Sequence, residues 1–312
     1  MDNIIVTGAS GLVATELIHL LIESSDNYKV YAVSTHPDKL HHRYANQRKV
    51  ECISLDGLTT LQNVEIRAVI HCAFARSKDA GEIAASIQYT SRLLQIVKHL
   101  NPAVFVNISS QSVYGQVTPP LWTEQSPPAP DYLYALGKYA TEELTSIALT
   151  GTGIKFSNIR LSSVCENARF MNVFAKNALT GVPITVRGGD QTCSFVDVRD
   201  VALGLMAVIK KAPSMNTIEP VYNLGSGLTR TVKELAEETK RLVEEMKAIP
   251  VEVNITPADI QLKVGMDISL FCSSFDWQPI FNYDDMIKSL IMLNDSDYTG
   301  GGAILFQESL YG

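Results

Sequence analysis

Short apolar runs alternate with helical stretches along the first half of the chain. The runs are rich in β-branched and aromatic residues, and they lie at 3–7, 30–33, 50–54, 68–71, 104–108 and 154–159. Between most of them, apolar residues recur at helical spacing, at 12–23, 83–99 and 134–149. Strands that alternate with helices predict a parallel sheet covered by helices on both faces. From about Leu161 onward the units are shorter and less regular, which predicts a smaller second lobe.

A glycine-containing turn at 7–11 connects the first predicted strand to the first predicted helix. Gly8 permits a tight turn, and Gly11, which has no Cβ, lets the backbone come close to a pyrophosphate. The N–H groups and the dipole at the start of a helix stabilise such an anion. The turn therefore predicts an α/β fold of the Rossmann type, with a doubly wound parallel sheet that binds a dinucleotide and a smaller C-terminal substrate-binding lobe.

The two lobes are expected to be interleaved along the chain, because the helical stretch at 201–211 has the apolar spacing to pack back on the large domain. We assign 1–160 and about 197–225 to the dinucleotide-binding domain, and about 161–196 and 226–312 to the substrate-binding lobe. The polar, glycine-containing tail after Asn294 is predicted to be a loop.

The composition argues against several classes of protein. Hydrophobic residues make up 46% and charged residues 19% of the chain, which is enough apolar surface for a substantial core. A net charge of -7 does not suit a general nucleic-acid-binding surface, which needs an excess of Lys and Arg. The chain has no apolar run of the roughly 20 residues that span a membrane, and its 5 cysteines lack metal-site spacing. We expect an unanchored cytoplasmic protein without a bound metal or a nucleic-acid partner.

The end of the second predicted strand bears on the choice between NAD(H) and NADP(H). The polar residues there are Ser34, Thr35, His36 and Lys39. A carboxylate at this place would bind the ribose hydroxyls and repel a 2′-phosphate, but the strand ends without one. The hydroxyl and basic side chains therefore favour NADP(H), although Asp38 and the lack of an Arg keep NAD(H) open. Asp56, beyond the third strand, is expected to accept a hydrogen bond from the adenine amino group or to serve as a turn residue.

A phenol, an ammonium and a hydroxyl are the candidate catalytic groups. Tyr134 and Lys138 are four residues apart, hence on one face of a helix. A nearby cation favours the phenolate and so lowers the pKa of a tyrosine toward the range useful for proton exchange. Ser110 follows the apolar run 104–108, at the carboxyl end of a predicted parallel strand where such sheets bind ligands. We predict that Ser110 orients the reacting oxygen, that Tyr134 exchanges its proton, and that Lys138 also holds the nicotinamide ribose.

Several motifs together resemble the extended short-chain dehydrogenase/reductase family. They lie at 7–14, 69–73, 109–115, 134–142, 181–184, 194–201, 222–227 and 275–279. This family includes nucleotide-sugar epimerases, dehydratases and ketoreductases. The resemblance covers most of the chain and implies that Ser110, Tyr134 and Lys138 are catalytic. It also implies that the substrate is a sugar linked to a nucleoside diphosphate.

The resemblance further implies contacts to the cofactor and the substrate. The cofactor contacts are Gly8, Ser10, Gly11, Leu12, Val13, Asp56, Gly57, Cys72, Ala73, Phe74, Tyr134, Lys138 and Leu161. Among these, Leu161 would flank the nicotinamide. The candidate substrate contacts are Ser112, Ser163 and Arg187.

The chain departs from the family pattern where the substrate diphosphate would bind. Family members usually carry an Arg just before the Phe-Val run, whereas this chain has Cys193 and Ser194 there. Ser163 replaces an Asn that usually contacts the substrate. Without a guanidinium, a diphosphate loses charge-assisted hydrogen bonds of about 1.5–3 kcal/mol each. Arg187 or Arg169 would have to supply them.

Three functions therefore stay open. The first is an epimerase or ketoreductase of nucleotide-activated sugars, and NADP(H) use would favour the ketoreductase. The second is an NADPH-dependent reductase of another small carbonyl compound, which the missing arginines favour. The third is a non-catalytic dinucleotide-binding protein, which the combination of Ser110, Tyr134 and Lys138 argues against. Related enzymes often pair through two helices, here 83–99 and 134–149, so a homodimer is a further expectation.

Overall fold

The computed structural model describes residues 1–117 and 120–295. Its strands are β1 (Asp2–Thr7), β2 (Tyr28–Val33), β3 (Val50–Ile53), β4 (Ile66–His71), β5 (Val104–Ser110), β6 (Lys155–Leu161), β7 (Ser163–Val164), β8 (Ile184–Arg187), β9 (Thr192–Cys193), β10 (Phe195–Val196), β11 (Val221–Leu224), β12 (Arg230–Thr231) and β13 (Val253–Thr256). Its α-helices are α1 (Leu12–Glu23), α2 (Pro37–Tyr44), α3 (Ala80–Leu100), α4 (Leu133–Leu149), α5 (Arg169–Leu179), α6 (Val198–Lys211), α7 (Val232–Lys247), α8 (Ser269–Phe275) and α9 (Tyr283–Asn294).

A parallel sheet forms the centre of the fold. Within the described ranges it has seven strands, in the order β11-β6-β5-β4-β1-β2-β3. The chain winds outward from β1 to β3, crosses back, and continues from β4 on the other side of β1. Parallel strands that are covered on both faces are near-continuous apolar runs, and β5 is buried from Val104 to Ser109 for this reason. Ligands bind at the carboxyl ends of the strands where the winding direction reverses, here between β1 and β4.

Two apolar clusters lie on the two faces of this sheet. Successive side chains of a strand point to opposite faces, so Ile4 and Val6 belong to one cluster and Ile5 to the other. Helices α1 and α6 complete the first cluster, and α3 with the end of α4 completes the second. The helical stretch predicted at 201–211 thus packs on the sheet, as part of α6.

A third apolar cluster is built from residues that follow the sixth strand. Helices α5, α7 and α9 enclose it together with β8, and its most buried side chains include Met171, Ile184, Leu235 and Leu290. The predicted α/β fold with a doubly wound parallel sheet is confirmed. The boundaries of the second lobe stay a prediction. The separate cluster fits a second lobe, but α8, which lies within the assigned range 226–312, packs through Phe271 and Phe275 into the first cluster on the sheet. From residue 296 the predicted tail lies outside the described residues.

Two predictions from the sequence, that no segment spans a membrane and that no metal is bound, can be compared with the described part of the chain. There, no helix is long and apolar enough to cross a membrane. Across residues 1–117 and 120–295, no group of three or more His, Cys, Asp or Glu side chains is placed to hold a metal ion. His71 is instead a core residue, because its ring nitrogens lie 2.7 Å from Thr7 Oγ1 and 2.9 Å from Thr90 Oγ1. Burial lowers the pKa of His71 to about 3 and keeps its ring neutral.

A buried acidic pair lies where the second lobe meets α6. Glu166 is 1% exposed and accepts hydrogen bonds from Val198 N at 3.4 and 3.3 Å. Asp197, which is fully buried, caps α6 and pairs with Arg199 at 2.6 Å. Burial, and next the Asp197 charge, raise the pKa of Glu166 to about 8 against the weaker effect of Arg199. Glu166 is therefore held mostly protonated at neutral pH.

Stability is expected to fall as the pH rises through the titration of Glu166. A group whose folded pKa is raised stabilises the fold fully below its unfolded pKa, near 4.5, and loses that contribution as the pH approaches about 8. Glu166→Gln, which cannot ionise, should flatten this decline. Urea denaturation from about pH 5 to about pH 9 measures it, with Glu65→Gln, at an exposed position, as the control. Parallel curves for Glu166→Gln and the wild type would contradict the assignment.

Candidate active site

The glycine turn after β1 is packed against the backbone that follows β4. Gly8 has a φ of +66°, and a Cβ there would lie 2.7 Å from Ala73 N. Ala9 N donates to Val33 O at 3.2 Å and Gly11 N to Gly8 O at 2.8 Å, which fixes the turn. Ser10 and Gly11 are exposed. Within the described part of the chain no side chain caps α1, whose first turn carries no carboxylate, so its N–H groups and dipole are available to an anion such as a pyrophosphate.

Replacing Gly8 by Ala should destabilise this turn and weaken dinucleotide binding. The positive φ costs roughly 1–2 kcal/mol for any residue with a Cβ, and the contact with Ala73 N forces the backbone apart in addition. Gly151→Ala is a matched control, since Gly151 has a φ of +80° but open space around its Cβ position. Urea denaturation and NADH fluorescence titration measure the two effects. Equal losses of stability in both variants would contradict the packing argument.

Ser110 and Tyr134 meet at the carboxyl end of β5. The Ser110 hydroxyl accepts from Ser112 N at 3.2 Å and lies 3.0 Å from Ser112 Oγ. Tyr134 lies in the first turn of α4, and its phenol is close enough to Ser110 for the serine to oppose the rise of the phenol's pKa. Leu161 pairs with Ser110 across β5 and β6. The predicted hydroxyl, phenol and flanking apolar residue are therefore close together.

Lys138 lies one turn further along α4, facing inward. It is 5% exposed, and its Nζ donates to Ile108 O at 2.8 Å. Burial lowers the pKa of Lys138 to about 8, although the nearby Cys72 and Glu142 favour the ammonium. A lysine with this pKa is mostly charged at neutral pH and can still lose its proton at moderately alkaline pH.

The pKa of Tyr134 is shifted in the direction opposite to the one that the Tyr-Lys spacing predicts. Burial raises it to about 12, and the opposing effects come from Arg76 and from the neighbouring Ser110 hydroxyl. The Lys138 ammonium lies 5.9 Å from the centre of the Tyr134 ring and is directed at Ile108 O. Desolvation of the phenol therefore outweighs the cations around it, and Tyr134 is protonated at neutral pH.

The other predicted cofactor contacts lie along the same edge of the sheet. Cys72, Ala73 and Phe74 directly follow β4, and Gly57 N donates to Ser54 Oγ at 3.1 Å beyond β3. The residues after β2 with exposed side chains are Thr35, His36, Asp38 and Lys39. Ser34 Oγ accepts a hydrogen bond from His36 N at 3.1 Å and so stabilises the turn in which it lies. Asp56 forms a surface ion pair with Arg92 of α3, a partner that the sequence analysis did not foresee.

The predicted substrate contacts are spread more widely. Ser112 and Ser163 are close to the catalytic candidates, since Gln111 Nε2, on the residue after Ser110, donates to Ser163 Oγ at 3.0 Å. Arg187 is exposed at the end of β8, which pairs with β13 and not with the central sheet. The location of Arg187 outside the central sheet gives no support to a direct contact between Arg187 and the residues around Ser110.

A family model matches most of this architecture. The model of the NAD dependent epimerase/dehydratase family matches residues 4–225, from β1 to just after β11. The chain belongs to this family of enzymes. The resemblance inferred from the sequence motifs is thereby confirmed.

Curated relatives and solved structures agree with membership of the epimerase/dehydratase family. A dTDP-glucose 4,6-dehydratase of Haemophilus influenzae is 23% identical and aligns over 93% of this chain and 97% of its own. UDP-glucuronic acid decarboxylase 6 of Arabidopsis thaliana is 25% identical over 75% of this chain and 74% of its own. The structure of UDP-glucuronic acid 4-epimerase from Bacillus cereus in complex with UDP-glucuronic acid and NAD has a TM-score of 0.76 and 21% identity, and covers 93% and 98% of the two chains.

This epimerase/dehydratase-family chain also contains a buried ion pair behind the candidate catalytic residues. Glu142, one turn after Lys138, accepts from Arg160 Nη2 at 2.7 Å and Nε at 3.0 Å. The Ser109 hydroxyl donates to the same carboxylate. The guanidinium of Arg160 lies 4.7 Å from the centre of the Tyr114 ring. One carboxylate thus connects α4 to β5 and β6.

Sequence reasoning noted Glu142 only as part of a motif and did not connect it to Arg160. The available signal was Arg160 between the apolar residues Ile159 and Leu161 near the end of a predicted strand, because a buried charge requires a partner. The 18-residue separation of the two groups gave no indication of which partner it was.

Proposed function

We propose that this chain is an NAD(P)-dependent oxidoreductase that acts on a hydroxyl or keto carbon of a nucleotide-activated sugar, as an epimerase or a ketoreductase. The observation that carries the proposal is the meeting of Ser110, Tyr134 and Lys138 at the sheet edge that also holds the uncapped glycine turn. Family membership supports the same chemistry.

Each of the three residues has a distinct task in this proposal. Tyr134 donates its proton to a carbonyl oxygen in reduction and accepts one from a hydroxyl in oxidation. Ser110 orients that oxygen by a hydrogen bond and stabilises its developing charge. Lys138 holds the nicotinamide ribose, and its charge favours the phenolate once Tyr134 has released its proton. A bound nicotinamide supplies or accepts the hydride.

The protonation state of Tyr134 bears on the direction of the reaction. A phenol whose pKa is raised to about 12 carries its proton at neutral pH, so it is ready to act as an acid toward a carbonyl. Oxidation requires the reverse transfer and depends on the cations near the phenolate. Tyr134 therefore starts as the acid when a carbonyl is reduced, and it must first lose its proton when a hydroxyl is oxidised.

Removal of water from the sugar is less well supported. Such an elimination needs an acid and a base on neighbouring carbons, for which carboxyl groups are suited. The residues that follow Ser110 are Gln111 and Ser112, an amide and a hydroxyl without a useful pKa. The proposal is therefore an epimerase or a ketoreductase rather than a dehydratase.

The second candidate function is reduction of another small carbonyl compound. Cys193 and Ser194, at the place of the usual diphosphate-binding Arg, are both buried. Arg169 and Arg187 are exposed on the second lobe and are the candidates to bind a diphosphate in its place. If neither does, an uncharged substrate is favoured.

For the cofactor we propose NADP(H) over NAD(H). The exposed side chains of Thr35, His36 and Lys39, with no carboxylate at the end of β2 itself, fit a 2′-phosphate, whereas the exposed Asp38 carboxylate between them favours NAD(H). The structures of a UDP-glucuronic acid 4-epimerase from Bacillus cereus and of a dTDP-glucose 4,6-dehydratase from Bacillus anthracis contain NAD. A lower Kd for NAD+ than for NADP+ would overturn this preference.

We also propose a homodimer formed by α3 and α4. The outer side of α4 exposes Leu136 by 53% and Ile147 by 77%, although isolated apolar residues at a surface are common. Sedimentation equilibrium distinguishes a dimer from a monomer, and Leu136→Arg should favour the monomer.

A thermal-shift panel tests the proposed substrate class. NAD(H) and NADP(H) are added to the protein, each with and without UDP and dTDP. We expect stabilisation by a dinucleotide and a further rise with a nucleoside diphosphate. A response to the dinucleotide alone would favour the small-carbonyl reductase. A dinucleotide-binding protein whose Tyr134→Phe variant keeps its full turnover or substrate response would have to be assigned a non-catalytic function.

A further inference from the structure

An aromatic ring covers the two ionisable residues of the candidate site. Phe74, from the loop after β4, lies with its ring centre 4.4 Å from Lys138 Nζ and 5.8 Å from the Tyr134 ring centre, in an edge-to-face arrangement. It is half-buried, and it belongs to an element other than α4. A cation over the face of an aromatic ring is stabilised by the ring's quadrupole.

A glycine on α4 provides the space for this ring. A Cβ at position 137 would lie 2.9 Å from Phe74 Cζ and 2.7 Å from Ile83 Cγ2. Glycine inside a helix is otherwise unfavourable compared with alanine. Glycine at position 137 therefore lowers the stability of α4, but its missing side chain lets Phe74 reach the helix surface between Tyr134 and Lys138.

We propose that Phe74 is a positioning residue that, through the gap at Gly137, holds the Lys138 ammonium in its charged form and fixes the Tyr134 ring beside it. Lys138 Nζ has few other stabilising neighbours: it donates to Ile108 O, and the acidic groups that favour its charge are Cys72 and Glu142. His71 on β4 also faces it but is neutral. The ring thus supplies part of the stabilisation that burial removes.

The inference rests on the proposed role of Lys138, but its test needs neither substrate nor cofactor. The protein is labelled with lysine carrying 13C at Cε, and the shift of the Lys138 resonance, assigned with Lys138→Arg, is followed against pH. Loss of the ring in Phe74→Leu should lower the midpoint by about half a unit to one unit, because the charged form loses its cation–π contact. Phe74→Tyr keeps the ring face and should titrate as the wild type does. An unchanged midpoint in Phe74→Leu would overturn the proposal.

A second measurement tests the packing at Gly137. Helix propensity alone would make Gly137→Ala raise the melting temperature, whereas contact with the ring should make it fall. The double variant with Phe74→Leu should recover part of that loss, since the smaller side chain frees space near the new Cβ. If Gly137→Ala is more stable than the wild type, the ring is not packed there.

NADH fluorescence titration then separates this inference from the proposed function. If no dinucleotide binds to the wild type, the proposed function is wrong, but the Lys138 titration still tests the role of Phe74 independently. If NADH binds, Phe74→Leu should weaken its binding more at alkaline than at neutral pH, because Lys138 loses its charge earlier. A loss that is the same at every pH would assign Phe74 to contact with the cofactor alone.

Discussion

Turnover is expected to fall by about 10²–10⁴-fold when Tyr134 is replaced by Phe, which is the usual contribution of a positioned general acid or base. The substitution removes only the phenolic hydroxyl beside Ser110, and it keeps the ring that contacts Phe74. The affinity for the dinucleotide should change little. Steady-state assays with sugars linked to the nucleoside diphosphate that stabilises the protein, together with NADH titration, measure the two quantities.

Tyr132 provides the matched control for this experiment. It is 53% exposed, and its ring stacks on that of Tyr134 with centres 6.3 Å apart. Tyr132→Phe therefore removes a neighbouring hydroxyl without touching Ser110, and its kcat should stay within a few-fold of the wild type. If Tyr134→Phe retained a kcat of that size, the acid-base role would have to be given to another residue.

The second large effect concerns stability. Glu142→Ala leaves the buried Arg160 guanidinium without its carboxylate and the Ser109 hydroxyl without its acceptor. Removing one partner of a buried ion pair destabilises by about 3–5 kcal/mol, because the remaining charge is uncompensated. The free energy of unfolding from urea titration measures the loss.

Glu143→Ala, at the next position of α4, is the control, since Glu143 is exposed and surface substitutions usually change stability by less than about 0.5 kcal/mol. A comparably small loss in Glu142→Ala would mean that water or a rearranged neighbour satisfies Arg160. Glu142→Gln should be intermediate, because the amide can still accept hydrogen bonds but carries no charge.

The sheet was the most predictable part of the fold. Strands β1 to β6 were all identified, because most of them are short apolar runs bounded by turns, and β1 and β5 are buried over most of their length. Helix α1 was predicted with its exact bounds, Leu12–Glu23, since its apolar spacing begins directly at the glycine turn. The edge strand β11 was recognised only as a motif, because four residues carry little periodicity.

In the candidate site, the positions of residues near the strand ends were predicted better than their electrostatics. Ser110 and Leu161 follow from strand ends, which meet at one edge of a parallel sheet. The raised pKa of Tyr134 could not be predicted, because desolvation depends on the packing of the whole surrounding shell. Glu166 and Asp197 were missed for a related reason, since only the tertiary fold brings these two carboxyl groups together.

One strand carries two of the anchors on which the proposed chemistry depends. Ser110, which carries the hydroxyl, and Ile108, whose carbonyl accepts a hydrogen bond from Lys138 Nζ, lie two residues apart on β5, so the backbone of one strand sets the spacing of these two residues. A sliding of β5 along its neighbours would carry both anchors together and preserve their spacing. The part of the site most sensitive to distortion is therefore the contact between β5 and α4, because α4 carries the Tyr134 phenol.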